Sequence, residues 1–200
     1  MKIAVLVSGS GSNLQALIDQ LHHDETSEIE ISVVISDRKK TYALTRAKEA
    51  GIATYIVRVR DFADRYAFDD KISELLDKHS VELIVLAGFM KLLQPAFVQK
   101  YCNRIINIHP ALLPAFPGAH PVTDTLAYGA KVSGVTVHFA DEGMDSGPII
   151  AQKPIPVFDD DNEESLNARL QIEEHNLYPK VIEWYAAGKI SVTGRKVIVK

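Results

Sequence analysis

The chain alternates short apolar runs with stretches in which apolar residues recur every three or four positions. Residues 2–7 (KIAVLV) are an apolar run ended by SGSGS, the pattern of a buried strand entering a glycine turn. Leu14, Leu17, Ile18 and Leu21 then share one helix face, and Ser12 followed three residues later by Gln15 predicts a capping box at the helix start. The same reading gives a strand at 30–36, a helix at 41–51 closed by Gly51, a strand at 53–57, and a helix at 64–79 with Phe68, Ile72, Leu75 and Leu76 inward. The run at 83–87 is apolar throughout, so it needs cover on both faces. A short helix at 95–101 leads to a strand at 104–108. Beyond it Pro110, Pro114, Pro117 and Pro121 crowd one segment, which excludes helix and central strand and predicts a long ordered loop. Strands at 132–139 and 148–157 flank an acidic turn, a helix covers 163–187, and the tail reads as a hairpin around Thr193-Gly194. Alternation of this kind predicts an α/β, Rossmann-like fold with a mostly parallel open sheet and helices on both faces. One domain over 1–200 is expected.

Composition narrows the classes. With 200 residues and 46% apolar content the chain can bury a core without disulfides or metal. A net charge of −4 offers no general attraction to nucleic acid or an anionic membrane, so neither is expected as a partner. Cys102 is the sole cysteine, which excludes an intrachain disulfide and a multi-cysteine metal site and fits a reducing compartment. The apolar opening is too short for a signal segment or a membrane span, so a soluble cytoplasmic protein is expected.

Open parallel sheets bind ligands beyond the carboxyl ends of their strands, which directs attention to the segments after Val7, Ala87, Ile108 and Phe139. After the first strand, Ser8-Gly9-Ser10-Gly11-Ser12-Asn13 opens a helix. It is either a tight connection or a phosphate cradle made of backbone N–H groups. Leu14 stands where a dinucleotide fingerprint needs a third small residue, although Asp37 after the second strand could still hold a ribose. Gly88-Phe89-Met90-Lys91-Leu92-Leu93 is either core packing or the wall of a flat aromatic ligand. Asn107 and His109 are two apart on a strand, so they project to one side together. The turn 141–147 carries Asp141, Glu142 and Asp145; one carboxylate could point back to His109 and favour its imidazolium. In the long helix the stripe Leu166, Leu170, Leu177, Val181, Trp184 passes through Glu174, a carboxylate on an apolar face. Its answer is an internal salt bridge or a ligand. No histidine spacing supports a metal.

Together VSGSGSNLQALID (7–19), VLAGFMKLL (85–93), INIHPALLPAFPGAH (106–120), GVTVHFADEGMDSGPIIAQ (134–152) and Glu174-His175 resemble the folate-dependent glycinamide ribonucleotide formyltransferase family of purine synthesis. Ala111 stands where that family commonly has Ser, and Val122-Thr123 where a His-Arg pair is frequent. The resemblance implies a formyltransferase fold with a nucleotide-binding half at 1–100 and a folate-binding, catalytic half at 101–200. It implies 10-formyltetrahydrofolate as formyl-donor co-substrate, glycinamide ribonucleotide as acceptor, no metal, and a monomer or homodimer. Glycinamide ribonucleotide would take Gly11, Ser12, Asn13, Leu14, Gln15 and Glu174. The folate would take Arg65, Met90, Lys91, Leu92, Leu93, Asn107, Asp141, Glu142, Gly143, Met144 and Asp145. Asn107, His109 and Asp145 would carry the chemistry. A formyl-folate hydrolase and a plain nucleotide-binding module are the rival classes; the first has no use for a phosphate loop, and the second leaves Asn107, His109 and Asp145 unexplained.

Overall fold

A computed structural model describes residues 1–24 and 26–200. Its main sheet has seven strands in the order β3-β2-β1-β4-β5-β6-β7. The chain divides into two compact units, Met1–Ile106 and Asn107–Lys200, and the boundary falls inside β5.

In the first unit β1 (Lys2–Val7) pairs in parallel with β2 (Glu30–Ser36) and with β4 (Leu83–Leu86), and β2 pairs in parallel with β3 (Thr54–Ile56). Ile3 to Val7 and Leu83 to Val85 are wholly buried, as continuous apolar strands in a covered parallel sheet should be. The helices are α1 (Ser12–Leu17), continued by a π turn over Ile18–His22, α2 (Tyr42–Glu49), α3 (Arg65–Lys78) and α4 (Pro95–Lys100). Phe68, Ile72, Leu75 and Leu76 of α3 all face inward. Gly51 follows α2 with φ 73°, the left-handed close that its position predicts. The capping box at Ser12 does not form. Gly11 is the N-cap, at φ 75°, and Gln15 instead accepts from Arg46 Nη1 at 2.9 Å and donates to Asp19 at 2.8 Å. A Cβ on Gly11 would stand 2.8 Å from the Ala43 backbone, so the loop closes onto the start of α2 only with glycine there.

β5 (Ile105–His109) runs from one unit into the other. In the second unit β6 (Val132–Phe139) and β7 (Ile149–Pro156) are antiparallel, as are β8 (Ile190–Thr193) and β9 (Lys196–Val199) around the expected turn. The proline-rich loop holds Pro110, Pro114 and Pro117, but the fourth proline, Pro121, already belongs to a helix. Residues 121–128 form helix α5 (Pro121–Tyr128), with Pro121 in the first turn, where a missing N–H costs nothing. On α6 (Glu163–Ala186) Leu166, Leu170, Glu174 and Val181 are buried, but Leu177 and Trp184 are only half-buried. Tyr178 and Ile182 take their places, because steps of four from Leu170 pass through Glu174 to Tyr178 and Ile182. No helix among the described residues is long and apolar enough to cross a membrane.

Candidate active site

The polar cluster of the second unit is assembled from the end of β5, the end of β6 and two loops. Asn107 and His109 face one way along β5 while Ile108 packs into the core, and both reach the same carboxylate. Asp145 Oδ1 lies 3.4 Å from Asn107 Nδ2, and Asp145 Oδ2 lies 3.5 Å from His109 Nδ1. Oδ2 also accepts the Gly118 backbone N–H at 2.8 Å. His109 Nε2 lies 2.8 Å from the Phe116 carbonyl, which can only accept, so Nε2 carries a proton. One carboxylate thus orders Asn107, His109 and the 116–118 loop.

His138 completes the cluster. Its alternation with Val135, Val137 and Phe139 puts it on the face of Thr136. Its Nδ1 donates to the Phe139 carbonyl at 2.9 Å, which leaves Nε2 as acceptor for Asn107 Nδ2 at 3.2 Å. Burial, the largest influence, lowers the His138 pKa, against the opposing pull of the Phe139 carbonyl and Asp145. A neutral imidazole with a fixed tautomer therefore holds the Asn107 amide. Sequence reasoning assigns His138 no role; its only signal is a polar residue alternating with Thr136 on an otherwise apolar strand.

Thr136 anchors the loop that follows His109. Its fully buried hydroxyl donates to the Ala111 carbonyl at 2.6 Å and accepts from Leu113 N–H at 3.0 Å and Gln152 Nε2 at 2.9 Å. Gln152 also donates to the Leu113 carbonyl at 2.9 Å. The acidic turn is ordered from within, since Asp141 Oδ1 accepts from Ser146 Oγ at 2.6 Å and Gly143 N–H at 3.1 Å. Glu142, Gly143 and Met144 are exposed. Of the three acids in this turn, Asp145 is the one that meets His109. Glu174 is buried on α6, as the stripe predicts.

The remaining predicted residues lie in the first unit. The 8–13 loop is fixed by Ser8, whose Oγ accepts from Met90 N–H at 2.8 Å, and by Arg46, whose Nε donates to the Ser10 carbonyl at 3.1 Å. Gly11 and Leu14 are buried, Leu14 completely, and Ser12 and Asn13 are half-buried. Gln15 has its side chain committed to Arg46 and Asp19. At the end of β4, Phe89 is buried but Met90 and Leu92 are 58% and 62% exposed, which is not core packing. Arg65, at the start of α3, donates to the Leu92 carbonyl and so ties this segment to the helix.

A half-buried carboxylate that aligns an amide and an imidazole beside a proline-rich loop is an arrangement able to support acyl-type chemistry. Comparison with known proteins defines the class. The formyl transferase family model matches residues 1–182, and the chain belongs to that family. It is 42% identical over 194 residues to the phosphoribosylglycinamide formyltransferase of Escherichia coli, spanning 96% of this chain and 90% of that one. It is 41% identical over 194 residues to the enzyme of the same name from Mycobacterium tuberculosis, spanning 97% and 89%. Among solved structures, glycinamide ribonucleotide transformylase 1 from Symbiobacterium toebii superposes with a TM-score of 0.96 at 42% identity, over 100% of this chain and 93% of that one.

Proposed function

We propose that the chain transfers the formyl group of 10-formyltetrahydrofolate to the amine of glycinamide ribonucleotide, giving formylglycinamide ribonucleotide and tetrahydrofolate. The observation that carries the reading is the shared coordination of Asn107 and His109 by Asp145. In the reaction a C–N bond forms between the acceptor amine and the formyl carbon, and the bond from that carbon to the folate nitrogen breaks. Negative charge gathers on the formyl oxygen in between. Donors there act selectively on the transition state, and the Asn107 amide and the His109 imidazole are those donors, exchanging their His138 and Phe116 partners for the formyl oxygen. Asp145 keeps the imidazole aligned and assists, through a water, the passage of a proton from the attacking amine toward the leaving nitrogen. Two positioned substrates supply much of the remaining rate.

The binding roles proposed here rest on the family resemblance. The phosphate of glycinamide ribonucleotide takes backbone N–H groups of Gly11, Ser12 and Asn13, with Glu174 on the sugar or glycinamide end. The folate ring takes Met90–Leu93 and the 141–145 turn, and Arg65 serves its glutamate tail.

A solved formyltetrahydrofolate deformylase from Pseudomonas syringae is 27% identical with a TM-score of 0.91, over 99% of this chain and 65% of that one, so hydrolysis is the rival to test. An absorbance assay of tetrahydrofolate release, run with and without glycinamide ribonucleotide, separates the two. Release only with the acceptor is expected; equal release without it overturns the transfer reading. Asn107→Ala, His109→Ala and Asp145→Ala are each expected to lower turnover by about 10²-fold or more.

A further inference from the structure

A cavity of about 380 Å³ in the first unit is lined, apart from Lys91, by residues that have no part in the proposed transfer chemistry. Asp37, Arg38, Lys39, Arg58, Arg60 and Lys91 line it. Arg38 and Lys39 follow β2, Arg58 and Arg60 follow β3, and Lys91 follows β4. Cations from three strands of the sheet thus meet at the carboxyl edge where parallel sheets hold ligands. Arg58 is neutralised by Asp61 through two bonds of 2.6 Å. Asp37 Oδ2 lies 3.6 Å from Lys91 and 3.9 Å from Arg38, too far for hydrogen bonds. Lys39 and Arg60 have no ion pair among the described residues, on a chain whose net charge is −4. The positive charge here is local and under-compensated.

Asp37 supplies an independent observation. Its side chain is 1% exposed, and its Oδ1 has no hydrogen-bond partner among the described residues. A buried carboxylate oxygen in that state calls for a donor. Repelling cations alone would describe a site for any anion; a carboxylate among them demands a ligand with both characters.

We propose that this cavity binds a multiply charged anion that also carries a hydroxyl or amide N–H donor. The donor satisfies Asp37 Oδ1, and the anionic groups meet Arg38, Lys39 and Arg60. Two carriers have this chemistry: a phosphorylated ribose, through a hydroxyl, and a γ-glutamyl tail extended from the folate, through an amide. The second carrier rests on the folate-binding role proposed for Lys91, and the first does not.

Titration calorimetry on the full chain tests the site with ribose 5-phosphate and with tri-γ-glutamate as separate probes. Saturable binding of one of them below about 1 mM is expected. It should weaken at least about tenfold in Arg38→Ala/Arg60→Ala and in Asp37→Ala, the scale of one lost charged contact. The probe that binds identifies the carrier. Arg38→Ala/Arg60→Ala should keep wild-type turnover with a monoglutamyl donor. Failure of both probes, or binding that the variants leave unchanged, overturns the proposal. Intact probe binding in a protein without formyl transfer would sink only the transfer reading.

Discussion

Replacing Thr136 by Val keeps the side chain's shape and deletes one hydroxyl, which isolates what that hydroxyl holds. Three partners lose it: the Ala111 carbonyl, the Leu113 N–H and the more exposed Gln152 Nε2. Gln152 keeps the Leu113 carbonyl, so its loss is partial. The other two groups become unsatisfied at about 1–3 kcal/mol each, a total of about 2–6 kcal/mol. That is a large part of the 5–15 kcal/mol or so by which such domains are stable. Turnover should fall as well, because Ala111 and Leu113 lie between His109 and the Phe116 carbonyl that orients it. A displacement of about 1 Å there is enough to cost about 10²-fold. Thr136→Ser retains the hydroxyl and should recover most of both losses. Urea unfolding and turnover of the two variants, measured side by side, check this. A Thr136→Val protein within about 1 kcal/mol of wild type and with full turnover would mean that the loop is held elsewhere.

The pH dependence of stability reports on His138. Its folded pKa lies below the ordinary value of 6.5, mainly through burial, so the unfolded chain binds the proton more readily. Stability from this group is complete above about pH 6.5 and is lost as pH falls through that value toward the folded pKa. His138→Gln should flatten that part of the urea-midpoint curve, and an identical slope in both proteins would refute the assignment. Gly147→Ala places a Cβ 1.8 Å from the Phe139 carbonyl oxygen. The backbone must shift, so a loss of about 1–3 kcal/mol in thermal unfolding is expected, with reduced turnover because Asp145 is two residues away. Asp69 is buried, and burial raises its pKa against the opposing Gln94 N–H, which it accepts at 2.7 Å just before α4. Asp69→Ala should cost about 1–2 kcal/mol in urea unfolding, and Asp69→Asn, which keeps an acceptor without the buried charge, should cost less.

Periodicity in the sequence located the elements whose residues answer only to local burial. The strands at 2–7, 30–36 and 132–139 and the inward residues of α3 are where a two- or 3.6-residue period puts them. It failed where a second signal competed. Pro121 was grouped with the three loop prolines, although a proline in a first turn is compatible with a helix, and it begins α5. At Ser12 the capping-box spacing was present, yet Gln15 is drawn away by Arg46, a residue 31 positions distant that no local window includes.

The candidate site divides along the same line. Asn107 and His109 were legible because one strand positions both. Asp145 was legible only as one of three acids in a turn, since choosing among them needs the backbone path. That path is unusual: Asp145 has φ 53°, and so has Phe116, whose carbonyl takes the other side of His109. Both are non-glycine residues in the left-handed region, a conformation that persists only where surrounding contacts impose it. Here those contacts are the Gly118 N–H on Asp145, the His109 N–H on Phe116, and the Thr136 anchor beneath the loop. The imidazole is thus held on both nitrogens by residues with positive φ. Asp141, which ties the turn to itself through Ser146 and Gly143, acts before Asp145 in this chain of support.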